Sequence, residues 1–204
     1  LGVGIKHNSS WLDIKDYAPS SYMNNAFDVN LSTSAISGIQ LDGGVFYKND
    51  MYHYYGMNLT ELPVTLTEEQ IAEACPRQAY NTIGTHVGLA YSTTRMGELS
   101  HVGNVDYHYT FDNTYAQEHF VGLEYGLGYT QNWWGDKSYP QKVGVDMAFQ
   151  YEYFESSHLD QTAMPIGNRN DLYLFKVNPF FEMGGEFYKL RLGVRLDGVN
   201  RINL

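Results

Sequence analysis

Residues 143–153 read VGVDMAFQYEY, and the alternation in this stretch limits the possible folds more than any other feature of the chain. Val143, Val145, Met147, Phe149, Tyr151 and Tyr153 fall on one parity, and Gly144, Asp146, Ala148, Gln150 and Glu152 on the other. Successive side chains of a strand point to opposite faces. A period of two held over this length therefore predicts a long strand with one apolar face and one small or polar face. The rhythm returns along the chain. Ile83, Thr85, Val87, Leu89 and Tyr91 alternate with Gly84, His86, Gly88 and Ala90. His119, Val121, Leu123, Tyr125, Leu127 and Tyr129 alternate with Phe120, Gly122, Glu124, Gly126 and Gly128. Near the end, Tyr188, Leu190, Leu192, Val194 and Leu196 alternate with Lys189, Arg191, Gly193 and Arg195.

On this basis strands are expected at 1–7, 25–34, 38–48, 51–58, 79–92, 99–111, 117–131, 141–154, 171–182 and 186–197. Asn49-Asp50, Asp112-Asn113-Thr114 and Gly184-Gly185 supply residues suited to tight turns, so the strands read as an antiparallel up-and-down meander. One helix signal interrupts it. Thr67 stands at a cap position before Glu68-Glu69-Gln70-Ile71-Ala72-Glu73-Ala74, with Pro76 beyond, which predicts a short helix in a loop at 59–78. Beyond the strand rhythm no repeat or linker divides the chain, and a single domain over 1–204 is expected.

Composition narrows the class. A net charge of -10, from 13 basic and 23 acidic side chains, argues against a general affinity for nucleic acid or anionic surfaces. The lone Cys75 excludes an internal disulfide framework. No stretch approaches the roughly 20 consecutive apolar residues of a membrane helix. A transmembrane β-barrel is not excluded by that test, because its strands bring an apolar residue only at every second position. With 18 Tyr, 20 Gly, 3 Trp and only 18% charged residues, the chain suits strands with two unlike faces.

A soluble sandwich also alternates. Two features favour the barrel. Many expected strands reach about ten residues, the length that crosses a bilayer at a tilt. Trp11, Tyr52, Tyr54, Tyr107, Tyr109, Tyr129, Trp133, Trp134, Tyr151 and Tyr153 gather near strand ends like interfacial girdles. The other parity carries Asp106, His108, Glu124, Asp146, Glu152, Lys189, Arg191 and Arg195, which suits a wetted interior better than a sandwich core. The expected fold is thus all-β, an antiparallel up-and-down transmembrane β-barrel with ten strands visible as part of a larger barrel.

The segments GIKHNSSWLDIKD, MYHYYGMN, IGTHVGLAYS, LSHVGNVDYHYTFDN and FKVNPFFEMGGEFYKLRLGVRLDG together resemble outer-membrane β-barrel proteins of Bacteroidota, TonB-dependent-receptor-like or porin-like. The resemblance rests mainly on the KH-x-SS-x(3)-IK element at 6–15 and on KVNP at 176–179. It implies a bacterial outer-membrane location and additional strands outside this stretch, so a fragment is expected. No plug domain or TonB box is recognisable. Ten strands, an even number, would permit closure, but the connections do not sort into a short-turn end and a long-loop end, because 8–24 falls opposite 59–78 and 155–170.

The sharpest chemical candidates are His7 and Ser9, which share the parity of Val3 and Ile5. A histidine within hydrogen-bond reach of a serine is the pairing that activates a nucleophile. The pair locally resembles outer-membrane lipid A deacylases, although Ser10 stands where those have Asn and sequence assigns no orienting acid. The rival reading is a membrane strand with Gly2, Gly4 and Lys6 inward, leaving the bilayer at His7. Glu124, Asp146 and Glu152 would act as a glycosidase-type pair only if two lay within about 5–9 Å. His86, His101, His108, His119 and His158 show no metal spacing. Gln131 to Asp136, with Trp133 and Trp134, reads as a girdle followed by a turn or as a sugar platform. The expected function is non-enzymatic: a porin-like channel, with Asp106, Glu124, Asp146, Arg191 and Arg195 setting selectivity, or a structural subunit of an envelope complex. The expected partners are outer-membrane lipid and other envelope proteins, with no nucleic acid, cofactor or metal. The alternatives are a lipid-acting serine hydrolase using His7 and Ser9, and a soluble carbohydrate-binding β-domain.

Overall fold

The computed structural model describes residues 1–11, 17–18, 20–36, 38–53, 67, 69–71, 76–91, 96–113, 116–135, 139–156, 169–185 and 187–203. Ten strands form one sheet: β1 (Gly2–Ser10), β2 (Tyr22–Ile36), β3 (Ile39–His53), β4 (Arg77–Tyr91), β5 (Leu99–Asp112), β6 (Gln117–Gln131), β7 (Gln141–Glu155), β8 (Arg169–Gly184), β9 (Lys189–Gly193) and β10 (Leu196–Asn203). Every ladder is antiparallel and joins chain neighbours from β1 to β8, whose far edge carries both β9 and β10. The all-β, up-and-down architecture expected from the alternation is present. The sheet is open, with β1 at one edge and the last strand at the other.

The segmentation differs from expectation in two places that cancel in the count. The expected strands 38–48 and 51–58 merge into β3, and Asn49-Asp50 forms no turn. Their amide and carboxylate groups are used within the sheet instead. Asn49 accepts from Asn25 at 3.4 Å and donates to Asn81 at 2.8 Å, while Asp50 accepts from Asn24. Residues 54–58 lie outside the described residues. At the other end, β9 and β10 hold one continuous register, since Gly193 faces Phe180 and Leu196 faces Val177. The interruption falls opposite Pro179. Val194 donates to the Pro179 carbonyl at 3.1 Å, but proline has no N–H to complete the pair.

Treating β9 and β10 as one strand leaves an odd number of strands across the sheet, so β1 and β10 run in the same direction. The connections now sort. Those at 11–21, 54–76, 113–116 and 156–168 leave one end, and those at 37–38, 92–98, 132–140 and 185–188 leave the other. The three longest share the first end, because merging the two expected strands moved 11–21 across. The 113–116 turn is held by Asp112, whose side chain accepts from the Ala116 amide at 2.8 Å. Gly185 donates to the Tyr188 carbonyl at 2.9 Å in the last turn, and Gly38 takes a positive φ of 79° in the shortest. In the 54–76 connection Thr67 and Gln70 form the reciprocal pair of a capping box at 3.3 and 2.9 Å. The remainder of the expected 59–78 helix lies largely outside the described residues.

Register keeps odd-numbered residues together from β1 to β8. One row runs Ile5, Phe27, Tyr47, Ile83, Tyr109, His119, Tyr153. Another runs Val87, Val105, Leu123, Phe149, Phe175. The odd-numbered face is apolar and exposed; Val3, Val45, Ile83, Val87 and Phe175 each leave more than half their surface open. Among the described residues, only Ala18 and Phe180 are buried hydrophobics. Soluble monomers rarely expose apolar patches above about 300–600 Å². The odd-numbered face thus carries a contiguous set of exposed apolar side chains.

Candidate functional site

The even-numbered face is the chemical face. From β2 to β6 it carries Asp28, Asp42, Lys48, Asp50, Asp106, Asp112, Glu118 and Glu124, and is mostly acidic. From β7 onward it carries Lys142, Asp146, Glu152, Lys176 and Glu182, joined across the last ladder by Lys189, Arg191, Arg195, Asp197 and Arg201, and is mostly basic. Ion pairs concentrate on the basic side. Arg191 meets Asp146 at 2.5 Å, Lys189 meets Glu182 at 2.9 Å and Arg195 meets Asp197 at 2.7 Å. Of the five residues expected to set selectivity, Asp146 and Arg191 neutralise each other, and Arg195 is taken by Asp197. Among the described residues, Asp106 and Glu124 have no ion-pair partner.

Glycines on this face are seats for larger neighbours. A β-carbon on Gly144 would meet the Phe180 ring at 2.5 Å, which is why Phe180 lies flat enough to reach 8% exposure. The Arg191 guanidinium lies over that ring, 3.7 Å from its centroid. Glu124 and Asp146 line one concavity together with Lys142, Lys176 and Arg191. Glu152 sits elsewhere, opposite Phe120 and Leu172. The carboxylate pair suggested by sequence thus reduces to Glu124 and an Asp146 already bound to Arg191. His108 stacks on Phe120 at 4.6 Å and approaches Glu118 at 3.6 Å, with Asp106 two residues away on the same face. Among the described residues no group of three His, Cys, Asp or Glu side chains converges as a metal site; Cys75 and His158 lie outside them.

On the apolar face, polar residues mark both ends of the long strands. Gln117 and Gln131 bound β6, and Gln141 and Glu155 bound β7. Between Val143 and Tyr153 lie ten steps of about 3.3 Å, or roughly 33 Å along the strand, which projects to about 25 Å at the tilt of a barrel strand. Aromatic rings gather at both margins. At the end with the longest connections, Tyr109 stacks on His119 at 4.5 Å, His119 meets Tyr153 at 5.6 Å and Tyr151 meets Tyr173 at 4.9 Å. At the other end, Tyr129 meets Trp133 at 6.3 Å and Trp134 meets Phe181 at 5.9 Å, with Gly135 turning the chain at a φ of 76°. Tyr52 departs from the expected girdle: it lies on the polar face, stacked on Tyr80 at 5.7 Å. Tyr54 is outside the described residues.

His7 and Ser9 do meet. His7 Nε2 lies 3.2 Å from Ser9 Oγ, and His7 Nδ1 lies 2.6 Å from Asn25 Oδ1. Asn25 is the residue that sequence reasoning missed, because only strand register places it opposite His7. The amide row orients the Asn25 side chain toward the histidine. Asn25 donates its Nδ2–H to Asn49, and Asn49 donates to Asn81, so the Asn25 oxygen faces His7 and can only accept. A neutral imidazole that donates from Nδ1 to Asn25 would face Ser9 with Nε2 as an acceptor. All of this lies at the exposed polar margin of the apolar face, at the end with the longest connections.

No protein-family model, curated protein or solved structure matches the chain.

Proposed function

We propose that the chain is a segment of a transmembrane β-barrel of the bacterial outer membrane, with its odd-numbered face against lipid and its charged face lining a water-filled lumen. Its role in this reading is non-enzymatic, as a porin-like channel or a structural subunit of an envelope complex. The observation that carries the reading is the apolar face of β6 and β7, bounded by Gln117, Gln131, Gln141 and Glu155 and spanning about the 25 Å of a barrel's apolar band. Aromatic margins and connections whose longest members share one end accompany it. The end with Trp133 and Trp134 becomes the periplasmic side, and His7 lies near the outer surface. Antiparallel closure then requires an odd number of further strands, because β1 and β10 run in the same direction. The likeness to Bacteroidota barrels in the KH-x-SS and KVNP segments agrees with this assignment.

The test is alternation of environment in reconstituted full-length protein. With Cys75 replaced, single cysteines at Leu123 and Met147 should react with lipid-soluble reagents only, and those at Glu124 and Ala148 with water-soluble ones only. Equal labelling of both parities, or a stable monomer without detergent, would refute the reading and favour a soluble β-domain.

A second reading is favoured by one observation, the Ser9–His7–Asn25 constellation. In it Ser9 Oγ attacks the carbonyl of a lipid ester while its proton passes to His7 Nε2, with Asn25 holding the imidazole. The departing alcohol takes that proton, and water then hydrolyses the acyl-serine. Ser9→Ala should abolish lipid-ester turnover in vesicles, and Asn25→Ala should lower it about 10- to 100-fold. Absence of turnover by the wild-type protein, or unchanged turnover in Ser9→Ala, ends this reading.

A further inference from the structure

We infer that the polar margin of the odd-numbered face, at the end with the longest connections, binds the headgroup of a glycolipid, with Phe111 as the stacking ring, the Asn81 amide as donor and the Glu155 carboxylate as acceptor. The inference rests on the reading of this face as lipid-covered, and names a lipid class for it. Strand register builds the site. Asn81 stands opposite Phe111, Phe111 opposite Gln117, and Gln117 opposite Glu155, so the four occupy one level of β4 to β7 on one face. Neighbouring strands lie about 4.8 Å apart, which sets Asn81 and Glu155 roughly 14 Å from each other and leaves room between them for a headgroup of two sugar rings.

Tyrosines one level deeper hold the polar groups of this row. The Tyr47 hydroxyl donates to Asn81 Oδ1 at 2.8 Å, the Tyr109 hydroxyl to Gln117 Oε1 at 3.1 Å, and the Tyr153 hydroxyl to Glu155 Oε2. Their rings sit toward the apolar centre and their hydroxyls reach toward the margin, an orientation that suits the boundary between acyl chains and headgroups.

The same bonds decide which polar atoms are left for a ligand. Asn81 Oδ1 accepts from Tyr47 and from Asn49 Nδ2, each at 2.8 Å, which turns that oxygen toward β3. The Asn81 Nδ2 group is then a donor without an acceptor among the described residues. Glu155 receives both Tyr153 and Gln117 on Oε2, the latter at 2.8 Å, and among the described residues nothing donates to its Oε1. Between donor and acceptor, Phe111 is 39% exposed and is held by stacking on Tyr109 at 5.3 Å. This arrangement matches a sugar, whose hydroxyls both accept and donate and whose C–H face packs on an aromatic ring. Charge argues against a phosphate in the same place. Arg169 stands opposite Glu155, but it is held by Asp171 at 3.2 Å and lies over the Tyr153 ring at 4.9 Å. An anionic headgroup here would meet the Glu155 carboxylate with no free cation in the row to offset it.

The test is native mass spectrometry of the full-length protein in a zwitterionic detergent, with digalactosyl diacylglycerol, phosphatidylglycerol or phosphatidylcholine carrying the same acyl chains. The galactolipid should be retained at least fivefold more than either phospholipid. Asn81→Asp keeps the oxygen that Tyr47 and Asn49 bond and removes the two N–H donors, so the preference should fall below twofold while phosphatidylcholine retention stays unchanged. Phe111→Leu, which keeps an apolar side chain but no ring, should do the same, and it keeps the test intact if Asn81→Asp does not fold. Equal retention of the three lipids, or variants that keep the wild-type preference, overturns the headgroup site and leaves the lipid-covered face standing. Preference for phosphatidylglycerol replaces the sugar by a phosphate and overturns the assignment. Retention of none of the three overturns the site, and solubility without detergent in the same preparation overturns the lipid-covered face as well.

Discussion

The two faces of β6 and β7 share one backbone and differ in everything else. On the odd-numbered face, Leu123, Tyr125, Met147 and Phe149 are exposed. On the even-numbered face, side chains cross the sheet to meet one another: Phe180 covers Gly144, Arg191 covers Phe180, and Asp146 closes the ion pair. The ion pairs of these strands therefore lie on the polar face, while the apolar face is exposed. In the proposed arrangement lipid covers the apolar surface, so a charge there costs depth-dependent energy while the same change one residue away costs little.

The largest effect should separate neighbours on β6. Leu123→Arg, near the middle of the apolar face, should destabilise the reconstituted protein by about 2–4 kcal/mol. Glu124→Gln, one residue on, should stay within about 0.5 kcal/mol. Reversible urea unfolding in vesicles measures both, and equal effects would remove the distinction between the faces.

Glycines give the reverse contrast. Gly144→Ala places a methyl group against the Leu127 carbonyl as well as the Phe180 ring and should cost about 1–3 kcal/mol through overpacking. On the odd-numbered face, a β-carbon at Gly103 meets Tyr125 at an ordinary 3.5 Å, so Gly103→Ala should be neutral within about 0.5 kcal/mol. A smaller effect, near 1 kcal/mol, is expected for Asn49→Ala. That variant breaks the amide row and frees Asn25, so it should also loosen the hold on His7 seen in the imidazole nitrogen shifts.

Face assignment was legible in the sequence because alternation reports it residue by residue, and β6 was bounded correctly at 117 and 131 for that reason. Segmentation was less legible. Asn49-Asp50 has the composition of a turn, and only the asparagines opposite, at 25 and 81, make it a strand interior; cross-strand partners are invisible until register is known. Pro179 produced the opposite effect, dividing one strand by withholding a single N–H. The same limit applies to the sites. His7 and Ser9 share a strand and were visible as a pair, whereas Asn25 arrives by register.

The smallest change in stability should carry the sharpest change in conduction, and it separates the acidic from the basic part of the polar face. Asp106 is an open carboxylate, whereas Asp146 is tied to Arg191 with both side chains nearly half exposed. Exposed ion pairs contribute about 0–1 kcal/mol, so neither Asp106→Asn nor the paired variant Asp146→Asn/Arg191→Gln should unfold the protein. Their effects on the field in the lumen differ. Asp106→Asn removes an uncompensated negative charge and should shift the reversal potential in a salt gradient away from cation preference. The paired variant removes one charge of each sign from neighbouring positions, and should leave the reversal potential within error of the wild type. Asp146→Asn alone should move it in the same direction as Asp106→Asn, since it exposes the Arg191 charge. If the paired variant shifts the potential as far as Asp106→Asn does, the Arg191–Asp146 contact does not neutralise its members, and the division of this face into open and compensated charge fails.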